Sequence, residues 1–344
     1  MPPLYLTEQG AKLHIENRRA NVVQTDRATA PGTAGADREL ASVPLIHVSE
    51  VVIFGNVSLT TPAIKTLLKE NIDVVFLTMD GQYCGRLIGP GTPHVALRRK
   101  QYRAQGDAAF TQKMAQGFVT AKLEHLRALL QRHNRERNDE VLRGAVELIN
   151  QQLARVPRTT TIPSLSGVEG AATAAYFGGL RQLLSADWKF TKRQRRPPPD
   201  PINVLLSFGY TLLAHAAEGA VAATGLDVYA GFLHSIDYNR PSLALDVMEE
   251  FRPLVDGVVL WCCNGGQITP ADFTPGTDPD RPVVMSDRAR KRFIEAYERR
   301  MAETFTHPKL NQKLAIRQCL LAQARQVAEA IQADRPGFSP MGFR

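Results

Sequence analysis

The chain has 344 residues, 44% of them hydrophobic and 22% charged, and 42 Lys and Arg against 34 Asp and Glu leave a net charge of +8. That size allows two domains with a composition ordinary for a folded soluble protein. No apolar run approaches the roughly 18 residues of a membrane span and the opening MPPLYLTEQG lacks a signal-peptide core, so a cytoplasmic protein with no membrane partner is expected. The basic excess favours polyanionic partners without requiring them. Cys84, Cys262, Cys263 and Cys319 show no metal-ligand spacing and read as reduced, mostly packed thiols.

The first part reads as strands, at Leu4 to Leu6, at Ala11 to Glu16 with Leu13 and Ile15 alternating against polar residues, and at Asn21 to Gln24. Residues 25–43 are small, polar and aperiodic and predict an exposed loop. Strand character resumes at Leu45 with LIHVSEVVIF. Thr60 or Thr61 followed by Pro62 predicts a short helix, AIKTLLKE. IDVVFLTM, the Asp80-Gly81 turn and QYCGRLIG then predict a hairpin.

After Pro93 the apolar spacing becomes helical, as in Phe110, Met114, Phe118 and Ala121 and again in Leu142, Ala145, Val146, Ile149 and Leu153. The expected class is therefore α+β. A small β-rich domain over residues 1–97 precedes a larger all-α domain over 98–344, with a helical core at 106–333 and a poorly ordered tail at 334–344.

Ser166 and Glu169 have the S-x-x-E spacing of a capping box, which is the plain structural reading of this glutamate. The residues that follow, Gly170, Ala171, Ala172, Ala174, Ala175, Gly178 and Gly179, make a helix of little bulk, against which other helices can pack closely. A charged glutamate in its first turn would then need a partner. KFTKRQRRPPPDP, from Lys189 to Pro201, is a solvated linker or a phosphate-contacting arm. A mostly apolar helix from Ile202 ends at Gly225, with His215 and Glu218 three residues apart on it.

GFLHSIDYNRPSLALDVMEEFRPL places His234 before a helix whose apolar residues cover an arc of roughly 200°. Asp246, Glu249, Glu250 and Arg252 share the remainder, and either glutamate can sit beside Asp246 about one turn along. Carboxylates that close need a cation, a proton or water between them. A solvated stripe paired with Arg252 and a divalent-metal site both remain open from spacing alone. Beyond it, Gln267 to Arg281 reads as a loop, Ser286 caps a basic helix, and a last helix runs from about Asn311 to Ala333.

SGVEGAATAAYF, RRPPPDPINVLLSFGYTLL and GFLHSIDYNRPSLALDVMEEFRPLV together resemble the CRISPR adaptation integrases, and IHVSEVVIFGNVSLTTPAIKTLLKENIDVVFL resembles that family's β-domain. The resemblance spans nearly the whole chain in the same order; the 25–43 loop is its clearest departure. It implies a metal-dependent DNA endonuclease of antiviral defence that acts in spacer acquisition, joining protospacer 3′ hydroxyls to the CRISPR repeat. The implied metal ligands are Glu169, His234 and Glu249, with Asp246 as a nearby charge; the resemblance is what selects Glu249 over Glu250. Two carboxylates and an imidazole suit Mn²⁺ and tolerate Mg²⁺. The implied partners are double-stranded DNA, a second copy in a homodimer, and a small ferredoxin-like subunit in a heterohexamer. Basic residues at 97–103, 189–196 and 286–300 are candidates for contacting the DNA backbone. A repair nuclease of branched DNA and an inactive DNA-binding scaffold are the alternatives.

Overall fold

The computed structural model describes residues 1–25, 37–89, 94–307 and 310–342. The chain divides into two compact units, Met1–Gly91 and Thr92–Arg344.

The first unit runs β1 (Leu4–Leu6), β2 (Ala11–Glu16), β3 (Arg19–Thr25), β4 (Asp37–Pro44), a 3₁₀ turn at Leu45–His47, β5 (Glu50–Phe54), β6 (Ser58–Leu59), α1 (Thr61–Lys69), β7 (Asp73–Leu77) and β8 (Tyr83–Leu87). Two four-stranded sheets result, ordered β1-β5-β7-β8 and β4-β3-β2-β6. Leu6, Leu13, Val22, Val51, Ile53 and Val74 supply one apolar core together with Ala63 and Leu67 of α1. Thr60 caps α1 at the backbone N–H of Ala63, with Pro62 in the first turn. β7 and β8 pair antiparallel, with Gly81 at φ +82° in their turn.

Two expectations change in this unit. The loop assigned to 25–43 is strand β4 from Asp37 onward, paired antiparallel with β3; residues 26–36 of it lie outside the described residues. Backbone pairing to β3 overrides the low strand propensity of DRELASVP. Leu45–His47 is a 3₁₀ turn rather than the start of a strand, because it follows Pro44 and delivers Leu45 into the core.

The second unit runs α2 (Val95–Gly106), α3 (Ala108–Arg137), α4 (Glu140–Arg155), α5 (Ile162–Gln182), α6 (Pro201–Ala223), α7 (Ser242–Met248), a 3₁₀ turn at Glu249–Phe251 and α8 (Arg252–Asn264). It continues with β9 (Phe273–Asp278), β10 (Arg281–Met285), α9 (Asp287–Ala302), β11 (Thr304–His307), β12 (Gln312–Ala315) and α10 (Ile316–Ala333). It is mostly helical but not all-α. The segment expected as a loop before Arg281 contains β9, and the expected start of the last helix at Asn311 gives way to β12. Both hairpins are short antiparallel pairs, the first in Thr-, Pro- and Gly-rich sequence and the second in mostly polar sequence, and their strand signal is weak.

Helix α6 is long and apolar enough to cross a membrane by length and composition, against the expectation that no run comes near that length. Half of its apolar window is buried within this unit, where α7, α8 and α10 pack on it. Gly209 is the point of closest approach: a Cβ there would lie 2.5 Å from Val255 Cγ1 and 2.9 Å from Phe293 Cζ.

The tail is also more structured than expected. Phe338 packs at a tilt against Phe118 with ring centroids 4.6 Å apart, Met341 is fully buried, and its backbone N–H donates to the Glu250 carboxylate. Two aromatic or sulfur side chains within eight residues were enough apolar area to dock the segment.

Candidate metal centre

Three segments build the site. The first is α5, which starts at Ile162 with Thr161 as N-cap, Pro163 in its first turn and a capping box formed with Ser164. Ser166 is therefore inside the helix and does not cap it; TIPS carries the start signal that the S-x-x-E spacing mimics. This moves Glu169 from the first turn to the body of α5, where Thr173 Oγ donates to its Oε1 at 2.9 Å. The small residues of α5 permit close packing at one place in particular. A Cβ at Gly179 would stand 3.1 Å from Leu130 Cδ1 and 3.3 Å from Ala145 Cβ, whereas Gly170 and Gly178 face open space.

The second segment is the connection Gly231 to His234. Asp246, fully buried on α7, accepts the backbone N–H groups of Phe232 (2.6 Å), Leu233 (3.0 Å) and His234 (3.0 Å). Its Oδ1 also lies 2.7 Å from His234 Nδ1. Nδ1 carries the proton in this pair, because a carboxylate only accepts, and Nε2 is left with its lone pair. Nε2 points at Glu249 Oε1, 3.7 Å away.

The third segment is the 3₁₀ turn at Glu249–Phe251, which interrupts the helix expected after His234. Pro253 explains it. Without an N–H, Pro253 cannot bond the Glu249 carbonyl in the α-helical register, and Arg252 N–H takes that carbonyl in the tighter one. The tighter turn sets Glu249 and Arg252 in line, and Arg252 Nε donates to Glu249 Oε1 at 2.7 Å.

A residue that the sequence reasoning missed stands between these segments. Lys122 of α3 is buried, its Nζ donates to Glu169 Oε1, and it lies 2.6 Å from Glu249 Oε2. The signal was legible: Lys122 continues the apolar stripe of Met114 and Phe118 at the next i+4 position, where a lysine needs a buried partner. Burial alone would raise the carboxyl of Glu249, but the charges of Arg252 and Lys122 beside it outweigh that and hold it well below the usual carboxylate range.

Among the described residues, no three His, Cys, Asp or Glu side chains gather closely enough to hold an ion as they stand. Instead Glu169 and Glu249 meet at one ammonium, with His234 on the other side of Glu249. Glu249 Oε2 is buried, with the Lys122 ammonium 2.6 Å away. Two carboxylates on the same cation and an imidazole presenting Nε2 supply O, O and N donors of the kind a divalent ion takes.

Glu250 faces elsewhere. Its carboxylate accepts from Gln323 Nε2 at 2.5 Å and from Met341 N–H, and burial raises it to about 7. His215 and Glu218 are buried on α6 with Nδ1 3.7 Å from Oε2, away from the residues above. Beneath the site, Tyr176 and Tyr210 donate to opposite oxygens of the buried Asp256, at 2.7 and 2.5 Å. The Arg252 guanidinium lies over the Tyr210 ring, 4.6 Å from its centroid.

Of the candidate basic stretches, Arg193 is turned inward to Asn203 and Ser207, Arg98 bonds the Gly225 carbonyl, and Arg290 is buried against Asp287. Arg99, Arg103, Lys189, Lys192, Arg195, Arg196, Arg288, Lys291 and Arg299 are exposed.

Residues 4–299 match the model of the family described as CRISPR associated protein Cas1. The chain belongs to the Cas1 family. It is 34% identical over 341 residues to CRISPR-associated endonuclease Cas1 3 of Thermus thermophilus, covering 99% of this chain and 95% of that protein. It is also 34% identical over 346 residues to a CRISPR-associated exonuclease Cas4/endonuclease Cas1 fusion of Geobacter sulfurreducens, covering 98% of this chain; the chain spans 58% of that fusion's length. Among solved structures, a Cas6-RT-Cas1–Cas2 complex superposes with a TM-score of 0.83 at 26% identity, over 99% of this chain and 36% of that one. A casposase bound to integration product has the same fold, with a TM-score of 0.82 at 20% identity over 100% of this chain and 95% of that one.

Proposed function

We propose that this Cas1-family protein is a divalent-metal-dependent DNA endonuclease and integrase that joins protospacer 3′ hydroxyls to a CRISPR repeat. The observation that carries the reading is the meeting of Glu169 and Glu249 at a single cation beside His234 Nε2. Those three residues would hold Mn²⁺ or Mg²⁺. The ion would supply Lewis acidity to a phosphoryl oxygen and stabilise charge on the attacking or leaving oxygen. Two neighbours in fold support the substrate and partner: one is a casposase bound to integration product, and another belongs to a Cas6-RT-Cas1–Cas2 complex. On this reading the protein acts on double-stranded DNA as a homodimer, bridged by a small ferredoxin-like subunit in a heterohexamer.

The chain's own residues divide the work. Asp246 fixes the His234 ring and its tautomer, so His234 would serve as a ligand; with Nδ1 protonated and Nε2 taken by an ion, it would have no lone pair left to act as base. Arg252 orients the Glu249 carboxylate, and Tyr210 supports Arg252 from below. In the reaction a 3′ oxygen attacks a repeat phosphorus, one P–O bond forms and one breaks, and the number of phosphodiesters is conserved.

The test is an integration assay with a 3′-hydroxyl prespacer and a repeat-containing duplex in Mn²⁺ or Mg²⁺. Glu169→Ala and His234→Ala are expected to lose the joined product. Joining at the wild-type rate by either variant would overturn the metal mechanism.

A further inference from the structure

We infer that Lys122 is a built-in counter-ion that occupies the metal position and has to be displaced before an ion can be held by Glu169 and Glu249 together. This rests on the metal-centre reading above and adds to it a residue that sets how tightly the ion binds.

Both oxygens of Glu249 already face cations. Oε1 accepts from Arg252 Nε at 2.7 Å, and Oε2 lies 2.6 Å from Lys122 Nζ. Glu169 reaches the same Nζ through Oε1. Lys122 thus bridges the two carboxylates, and Arg252 touches one of them. An ion ligated by both would need bonds of about 2.0–2.2 Å to oxygens now in contact with the ammonium, which leaves no room for Nζ between them. The two cations also differ in how firmly they are fixed. Arg252 has its guanidinium seated on Tyr210, whereas Lys122 ends in a compact ammonium on a flexible four-carbon stem. Lys122 is the one that can leave.

The arrangement also has a use in the metal-free protein. Glu169 and Glu249 approach one another in a site that is largely closed, Glu249 being 2% exposed. Without a cation between them one carboxylate would have to move away or take a proton. The ammonium keeps both charged and in position, and the binding free energy of the ion is reduced by the contacts it must break. Lys122 is accordingly a positioning residue, and its removal should strengthen metal binding while weakening the metal-free fold.

The experiment measures Mn²⁺ affinity by isothermal titration calorimetry on the full chain as wild type, Lys122→Met, Lys122→Arg and Glu169→Gln, with melting temperature recorded in chelator and in saturating Mn²⁺. Lys122→Met is expected to bind Mn²⁺ at least tenfold more tightly than wild type. It should melt lower in chelator and gain more on adding Mn²⁺. Lys122→Arg, which keeps a cation, is expected to stay within a few-fold of wild type. A Lys122→Met affinity equal to or weaker than wild type, with Glu169→Gln impaired, overturns the counter-ion role and leaves the metal site standing. Glu169→Gln binding as wild type does would instead overturn the metal site itself. If Lys122→Met does not fold, amine-reactive labelling of the wild-type protein decides. Lys122 modification, followed by mass spectrometry, is expected to rise several-fold on adding Mn²⁺, and an unchanged or lower rate overturns the proposal.

Discussion

Asp246 holds His234 by its Nδ1 edge at 2.7 Å and, with the same carboxylate, gathers three successive backbone N–H groups that end at His234 itself. Ring, tautomer and main chain are thereby set by one buried side chain. Replacing Asp246 by Asn keeps the volume but turns an N–H donor toward groups that are donors. The expected result is a 10–100-fold loss of Mn²⁺ affinity by calorimetry, with the far-ultraviolet circular dichroism unchanged. Affinity within twofold of wild type would count against this role.

Gly231 lies where that connection passes closest to α7. A Cβ there would stand 2.7 Å from the Ser242 carbonyl carbon and 2.8 Å from Leu243 N, both backbone atoms that cannot swing aside. Gly231→Ala is expected to cost about 1–3 kcal/mol of stability in chemical denaturation and to weaken Mn²⁺ binding, since the displaced backbone carries His234 with it. Gly178→Ala, in open space on α5, is the contrasting case and should stabilise by about 0.5–1 kcal/mol.

The adjacent glutamates should separate cleanly. Glu249→Gln removes one of the charges that meet at Lys122 and is expected to abolish measurable Mn²⁺ binding. Glu250→Gln alters the contacts to Gln323, the Met341 backbone and the neighbouring His125, none of them at the metal position, so Mn²⁺ affinity should stay within about twofold while the melting temperature shifts. Equal loss of metal binding in both variants would contradict the division.

Asp256 gives a signature in pH. Burial raises its carboxyl to about 6, despite the hydrogen bonds from Tyr210 of α6 and Tyr176 of α5 and the charges of Arg252 and Arg193. The folded chain therefore binds a proton that the unfolded chain, titrating near 4, releases. The stabilisation is full below about pH 4 and is lost as pH rises through 6, a change of about 3 kcal/mol. Asp256→Asn should flatten the melting temperature over that window relative to wild type. His125, which burial lowers to about 4, works in the opposite direction as pH falls, so the difference between the two proteins is the quantity to read. A difference that is constant across pH 4 to 7 would rule this account out.

The features legible in the sequence were those written in local spacing. The Asp80-Gly81 hairpin and the Thr60 and Ser286 caps all depend on neighbours within a few residues. The misreadings arose where distant residues decide the outcome. β4 is a strand because β3 pairs with it, the tail is ordered because Phe118 and Glu250 receive it, and Lys122 acquires its meaning from Glu169, 47 residues away. Two misreadings had local signals that a stronger pattern masked. TIPS starts α5 ahead of the S-x-x-E spacing, and Pro253 tightens the turn at Glu249 within an otherwise continuous helical stripe.

That tightened turn also limits how this stretch can change. Asp246, Glu249, Arg252 and Asp256 are each three or four residues apart on α7, the turn and α8, and each meets a partner from a different segment. One residue added or removed between Asp246 and Arg252 would rotate everything beyond it by about 100–120° about the helix axis. Arg252 would swing off Tyr210 and Asp256 out from between its two tyrosines in the same step. Insertions and deletions in the stretch should therefore be absent from any active library, whatever the side chains around them.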